Sequence, residues 1–540
     1  LGYAHESGQG TDQSPLGSVA ATVSWDGGGD GTSWHDRFNW DGDALPGSTD
    51  DVVIGLADSN PTIAFTSSAG TRTVKSIVSD EAFMISGGSL TLSGGASEFR
   101  SSFSLTGGSL TASGSGTSLS ATGAATIQNT AINALSGAIA SFQTATALVN
   151  VNLTASGGGQ ILLSAAESLT NNGGSYTIQA EGTGSRIDLS GLTSLTGGTD
   201  SGWPNYYWYG TYLNVLAGGH LSISGAISQH TIWTLDGSDS LMDVSEVGTL
   251  SGSASITVSG GGVLDFASAT ALSYVSLYAS SGGRILFPSV ATYSNDSGAY
   301  TIQAEGTGSR IDLSGLTSLS CGTDSGWPNY YWFWTYIKAL GGGEVDLAGA
   351  ISGHNQWTVD SADSQIGVAA VTSLSGTYLA LGYGESLNFS ALTQMSSSNL
   401  TVQDGAVLSF PVAASLVNVN LTASGGGQIL LSAAESLTNN GGSYTIQAEG
   451  TGSRIDLSGL TSLTGGTDSG WPNYYWYGTY LNVLAGGHLS ISGAISQHTI
   501  WTLDGSDSSM DVVRVTQPSG AVLTAANGAV WVLPVGWRPS

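Results

Sequence analysis

The aromatic chemistry of this sequence is concentrated in one motif that occurs three times. It reads SGWPNYYWYGTY at 201–212, SGWPNYYWFWTY at 325–336 and SGWPNYYWYGTY at 469–480. Flat rings beside an amide suit a carbohydrate, because the axial C–H faces of a sugar pack on a ring while its hydroxyls bond at the rim. Trp203, Tyr206, Tyr207 and Trp208 would supply the faces of one such site, with Asn205 at its rim. Trp327, Tyr330, Tyr331 and Trp332 with Asn329 make the second, and Trp471, Tyr474, Tyr475 and Trp476 with Asn473 the third. Each copy carries one Pro and no clean alternation, so it reads as a loop thrown out from a regular scaffold. The alternative is that the rings pack on one another and cover that scaffold. Exposed aromatic patches usually meet partners, which favours binding. Trp233, Trp357 and Trp501 follow each motif and would serve as core or as support.

A second pattern consists of carboxylates. In short apolar-x-apolar segments the middle residue is Asp at 188, 243, 265, 312, 346, 456 and 511. If such segments stack in successive turns, Asp243 with Asp265 and Asp312 with Asp346 would lie about 4.8 Å apart. Stacked carboxylates raise one another's pKa, and that spacing is close to the one retaining glycosidases use. The competing reading is a solvated polar ladder, and three features favour it. Lys occurs only at 75 and 338, so a lyase-type base is scarce. The Asp pairs do not recur with the motif, since Asp188 is followed by Ser222 but Asp312 by Asp346. Triplicating a loop also enlarges a binding face more readily than it improves one catalytic centre. No catalytic residue is assigned. His220 becomes Glu344 in the middle copy, which a metal site would not readily survive.

The elements that must position these residues follow from periodicity. Segments of the apolar-x-apolar type begin at Ile161, Ile187, Leu221, Met242, Leu264, Ile285, Ile311, Val345, Ile366, Leu387, Leu408, Ile429, Ile455, Leu489 and Met510. The base step is 21 residues, with insertions that lengthen some steps to 26 and 34. Strict alternation about Gly-rich turns means strands rather than helix. Several short strands per turn, stacked on like neighbours, make a parallel β-helix, and repeats near this length favour the right-handed form. The expected fold is therefore an all-β solenoid whose aromatic loops all leave one face. Residues 148–240 and 416–508 are identical, which marks a duplicated cassette. The expected organisation is a tail or linker at 1–22, an N-terminal cap at 23–82, the solenoid at 83–515 and a C-terminal cap or boundary at 516–540.

Composition narrows the partners. Charged residues are 9% of the chain, against about 25% in ordinary domains. The net charge of −28 disfavours nucleic acid and anionic membrane surfaces. Neutral polymers suit it, as do cations such as Ca²⁺. The acidic cluster Asp26, Asp30, Asp36, Asp41, Asp43, Asp50 and Asp51 could hold a structural Ca²⁺, but it lacks EF-hand spacing, which favours solvated surface acids. No other cofactor is implied. Cys321 is the sole cysteine and stands where the other copies have Gly197 and Gly465, so no internal disulfide forms. No run of about 18 apolar residues occurs, so no membrane insertion is expected.

Two resemblances add to this reading. The opening VSWDGGGDGTSWHDRFNWDGDALPGSTDDVVIG, with Trp25, Trp34, Phe38 and Trp40, resembles the start of large secreted bacterial repeat proteins, where it begins a parallel β-helix. The solenoid with aromatic loops is similar to the β-helical carbohydrate-binding modules attached to bacterial plant-cell-wall hydrolases such as xylanases. These resemblances imply a secreted or extracellular protein, a cell-surface one included. They also imply a polysaccharide partner such as xylan or β-glucan, and catalytic domains in the same polypeptide. A surface adhesin or stalk, and a β-helical polysaccharide lyase or hydrolase, are the alternatives.

Overall fold

A computed structural model of the chain describes residues 22–57, 59–198, 209–323, 333–440, 442–466, 477–518 and 521–533. It is all-β, 1% helical, with parallel strands stacked about 22 residues apart in a β-solenoid of about 20 turns. The chain divides into two compact units, Leu1–Ala145 and Thr146–Ser540.

In the first unit, parallel pairing is already present within 23–82. Val23–Ser24 pairs with Val52–Val53, and Asp51–Ile54 with Ser76–Ser79. Thr62–Phe65 pairs with Ala82–Ile85, and Ala82–Leu92 continues onto Phe103–Ser113 and Ala125–Leu135. The aromatic cover forms from Trp25, Trp34 and Trp40, all buried and in edge contact at 4.6–4.8 Å. Phe38 is not part of it. It is 47% exposed, with the Arg37 guanidinium over its ring. From Trp34 the rings run on through Phe83, Phe99, Phe103 and Phe142. The first turn has no neighbour on its outer side, so bulky rings must supply the apolar surface that a further turn supplies elsewhere.

Each turn of the second unit has three walls. Taking one turn as an example, Tyr176–Glu181 forms the first wall, Arg186–Leu189 the second and Ser194–Thr196 the third. Register matches the sequence spacing: Ile161 pairs with Ile187, Ile187 with Leu221 and Leu387 with Leu408. Inward residues form continuous columns, such as Leu213, Trp233 and Ile256 along the first wall. Where a Trp enters a column, its indole N–H is satisfied locally. Trp233 donates to Thr231 Oγ1 at 2.8 Å, Trp357 to Asn355 Oδ1 at 2.6 Å and Trp501 to Thr499 Oγ1 at 2.9 Å. These three tryptophans are core, and Trp233 and Trp357 lead ring stacks onto Phe266 and Phe287, and onto Phe389 and Phe410.

Among the described residues of the second unit, the second wall is interrupted at two places. No ladder pairing joins Leu241–Asp243 to Val263–Asp265, or Gln365–Gly367 to Ser386–Asn388. The expected stacking of Asp243 on Asp265 is thus corrected. Like charges directly opposite are destabilising, and both of these carboxylates face solvent.

Trp34 is fully buried at the centre of the first unit's cover. Trp34→Ala should destabilise that unit by about 3–5 kcal/mol. Hydrogen exchange should show lost protection over residues 22–145.

Candidate functional site

The three aromatic loops share one construction at their roots. In each case the chain leaves a third-wall strand, makes an antiparallel bridge and re-enters on the first wall. The bridges are Gly198 to His230, Gly322 to His354 and Gly466 to His498. The re-entering strands are Thr211–Leu216, Thr335–Leu340 and Thr479–Leu484. Along the first wall the second of these is five strand steps from the first. The third is six steps further on. At about 4.8 Å per step the roots are about 24 and 29 Å apart. The ring-bearing residues Trp203, Asn205, Tyr206, Tyr207 and Trp208 lie outside the described residues. So do Trp327, Asn329, Tyr330, Tyr331 and Trp332, and Trp471, Asn473, Tyr474, Tyr475 and Trp476.

The roots are tight because backbones meet there. A Cβ on Gly198 would fall 1.9 Å from Tyr209 O, and one on Gly466 2.1 Å from Tyr477 O. Buried Asn171 braces the same corner, donating to Thr211 Oγ1 at 3.0 Å and accepting from Val151 N. Asn439 repeats the first of these bonds with Thr479.

One pair of positions at the roots changes together. Gly210 and Gly478 leave room only for the side chains of Ile232 and Ile500, whose Cδ1 atoms would lie 2.3 and 2.5 Å from an added Cβ. In the middle copy Trp334 stands at the glycine position and Gln356 at the isoleucine position. The Trp334 ring stacks on His354 with centroids 5.2 Å apart. The middle site therefore gains a ring at its root.

The first wall beside each root presents further outward side chains, beyond the rings and amides assigned from the motif. Thr177 and Gln179 stand in register with Tyr212 and Asn214. Asn214 Nδ2 donates to Gln179 Oε1, and Gln179 Nε2 donates to Glu181 Oε2. The third copy repeats both bonds with Asn482, Gln447 and Glu449. In the middle copy Lys338 replaces the Asn and places its ammonium 5.4 Å from the Tyr336 ring. Tyr212 and Tyr480 are more than a third exposed. The signal was present in sequence as alternation: in YTIQAE and TYLNVL every second residue is inward, which leaves these outward. At the third root Tyr477, Tyr480, His498, Ile500 and Val522 line a cavity of about 220 Å³.

Four members of the Asp pattern on the second wall, Asp188, Asp312, Asp346 and Asp456, are salt-bridged to arginine. Asp312 and Asp346 are register partners, and Arg310 Nη2 lies 3.2 Å from one and 2.7 Å from the other. Ser314 donates to Asp312 Oδ1 through both its backbone N–H and its hydroxyl. Burial pushes the Asp312 carboxyl upward, but the Ser314 bonds and the Arg310 charge outweigh it and hold it below its ordinary range. Arg186 and Arg454 pair with Asp188 and Asp456 in the other copies. An acid held ionised in this way is poorly suited to donate a proton.

The N-terminal acids are engaged with their own loop. Asp30 Oδ1 accepts from Thr32 N, Ser33 N and Asn39 Nδ2, while Asp36 accepts from Asp30 N and Phe38 N. The bonds from Ser33 lead in holding Asp30 far below the usual carboxylate range. Among the described residues no three His, Cys, Asp or Glu side chains converge to hold a metal ion. Burial pushes the Cys321 thiol up to about 12, so it stays protonated and unreactive. Among the described residues no helix is long and apolar enough to cross a membrane.

Arg310→Met would leave Asp312 and Asp346 adjacent without the guanidinium that bridges them. Stability should fall by about 1–2 kcal/mol at neutral pH. A carboxyl with a depressed folded pKa stabilises above its unfolded pKa and loses that contribution as pH falls through the folded value. The deficit of the variant should therefore narrow below about pH 4, as read by urea denaturation across a pH series.

No protein-family model, no curated protein and no solved structure matches this chain.

Proposed function

We propose that this chain is a secreted, non-catalytic polysaccharide-binding solenoid, which engages a neutral cell-wall glycan of the xylan or β-glucan type through its three aromatic loops. The observation that carries the reading is the recurrence of one root at one corner of the turn, five and six strand steps apart on one wall. Three like sites in line suit a polymer, because a second and third contact on one chain raise avidity without new chemistry. The outward Gln, Asn and Tyr side chains beside the roots add hydrogen-bonding groups of the kind sugar hydroxyls need. The scarcity of basic residues removes the attraction that would draw an anionic polymer. The acid pairs that would suggest hydrolysis are tied up by arginine and serine.

Combining Trp203→Ala, Trp327→Ala and Trp471→Ala should abolish retardation of the chain in gels containing soluble xylan or mixed-linkage glucan. Each single change should weaken it by about 1–2 kcal/mol per site. Melting temperature should not move if the rings serve binding, since it is the loss of a core ring that leaves a cavity. Unchanged retardation in the triple variant would exclude the rings as the binding surface, and a collapsed melting temperature would assign them to packing instead.

Incubation with xylan, glucans, pectin and alginate should release no oligosaccharide. Sustained release that is lost on Asp312→Asn would replace this reading with an enzymatic one.

A further inference from the structure

The second interruption of the second wall has a cause visible in the sequence. The residue immediately before each second-wall strand sits at a tight corner. From Gly159 to Ser508 it is Gly, Ser or Ala in every turn but one. Where it is Gly, an added Cβ would strike the turn before: 2.2 Å from Ala304 O at Gly343, and 2.4 Å from Val402 O at Gly427. Where it is Ser, the hydroxyl ties turns together, as Ser364 Oγ does by accepting from Gly342 N. The exception is Glu385, which is 5% exposed. A side chain of that length cannot occupy the corner while the ladder above it stays closed.

The opening is confined to one wall. The same two turns remain paired on the first wall, Asn355–Thr358 with Thr377–Ala380, and on the third, Ser373–Ser375 with Gln394–Ser396. Between them lies a cleft of about 450 Å³, with Ser364, Gln365 and Gly367 on one lip and Glu385, Ser386 and Leu387 on the other. Leu387 is 7% exposed, whereas its column neighbours Leu408 and Ile429 are fully covered. Glu385 Oε2 accepts from Gly382 N at 3.2 Å. Its Oε1 is buried and has no hydrogen-bond partner.

A buried acceptor of this kind is costly unless a donor reaches it. An added β-strand is too large to be that donor. It would need its neighbours about 9.5 Å apart, yet Cα atoms of the two lips still lie within 8 Å. The cleft is lined by no Lys or Arg. The charge that acts on Glu385 from the turn before is Asp360, and Asp346, beside Gly367 on the other lip, is already paired with Arg310. A compact cation with several N–H donors is the complement to a carboxylate framed by strand edges.

We propose that this cleft is a binding site for a primary ammonium group, carried by a small amine or an amino sugar, with Glu385 as its anchoring carboxylate. The site is independent of the aromatic loops. Burial first, and Asp360 second, push the Glu385 carboxyl up to about 7, while the Gly382 N–H works against them. Binding therefore requires its deprotonated form and is lost as pH falls through that value.

The test is isothermal titration calorimetry of the full chain with n-butylamine, glucosamine and glucose near neutral pH. The two amines should bind saturably at one site and glucose should not; whichever amine binds tighter identifies the source as alkyl amine or amino sugar. Glu385→Gln should weaken amine binding at least about tenfold. Lowering the pH from about 8 to about 5.5 should weaken n-butylamine binding to the unaltered chain by about tenfold or more. That arm needs no variant to fold. Glu385→Ser should restore a small corner, close the ladder, abolish binding and increase amide protection at Ile366–Val368. Glu246→Gln, an exposed acid elsewhere, should change nothing. Absence of saturable amine binding would overturn the proposal. So would binding that Glu246→Gln and Glu385→Gln reduce alike, or binding of glucose that depends on Glu385.

Discussion

The constraint on which the molecule depends is the close parallel stacking of successive turns. At about 4.8 Å between strands, whatever one turn places at a corner is felt by the turns on either side. Buried aliphatic side chains stack in columns because register is shared, as with Ile161, Ile187 and Leu221. Corners that meet the backbone of the previous turn admit little beyond Gly, Ser or Ala. Gly219 illustrates this, since its Cβ would lie 2.2 Å from Ala180 O. Glycine content in this chain is thus a packing requirement at particular sites as much as a turn requirement.

That constraint also explains where the fold can vary. An insertion is tolerated where it leaves the turn without disturbing the ladders, and the aromatic loops do this between the third and first walls. Their roots are held by bonds the solenoid itself supplies, such as that of Asn171 to Thr211. Beneath the first and second roots lie the buried Trp233 and Trp357 with their phenylalanine stacks. Where a change does fall on a corner, the ladder yields locally. Glu385 illustrates this, and the two turns it separates stay joined on their other walls.

Charge is handled by the same geometry. Outward residues in register are forced close together, so like charges must be compensated or separated. Asp312 and Asp346 are compensated by Arg310. Asp243 and Asp265 have no such arginine between them, and their strands do not pair. The N-terminal carboxylates instead serve the backbone N–H groups of their own glycine-rich loop, as Asp30 does.

The sequence by itself determined the fold class, the step between turns and the shared exit of the three loops. Alternation and repeat length are local properties, and stacking of like turns leaves them one consistent arrangement. It also marked Trp25, Trp34 and Trp40 as a cover, since an end turn needs apolar bulk. It left Trp233, Trp357 and Trp501 open between core and support, because a ring's burial depends on the columns beside it. The tertiary structure alone decided that these rings are core, that Phe38 is not part of the cover and that Asp243 and Asp265 are unpaired. It alone turned Glu385 from one acid among many into the wall of a cleft. Period and composition are written along the chain, whereas a clash between one corner and the next exists only once turns separated by some twenty residues lie in contact.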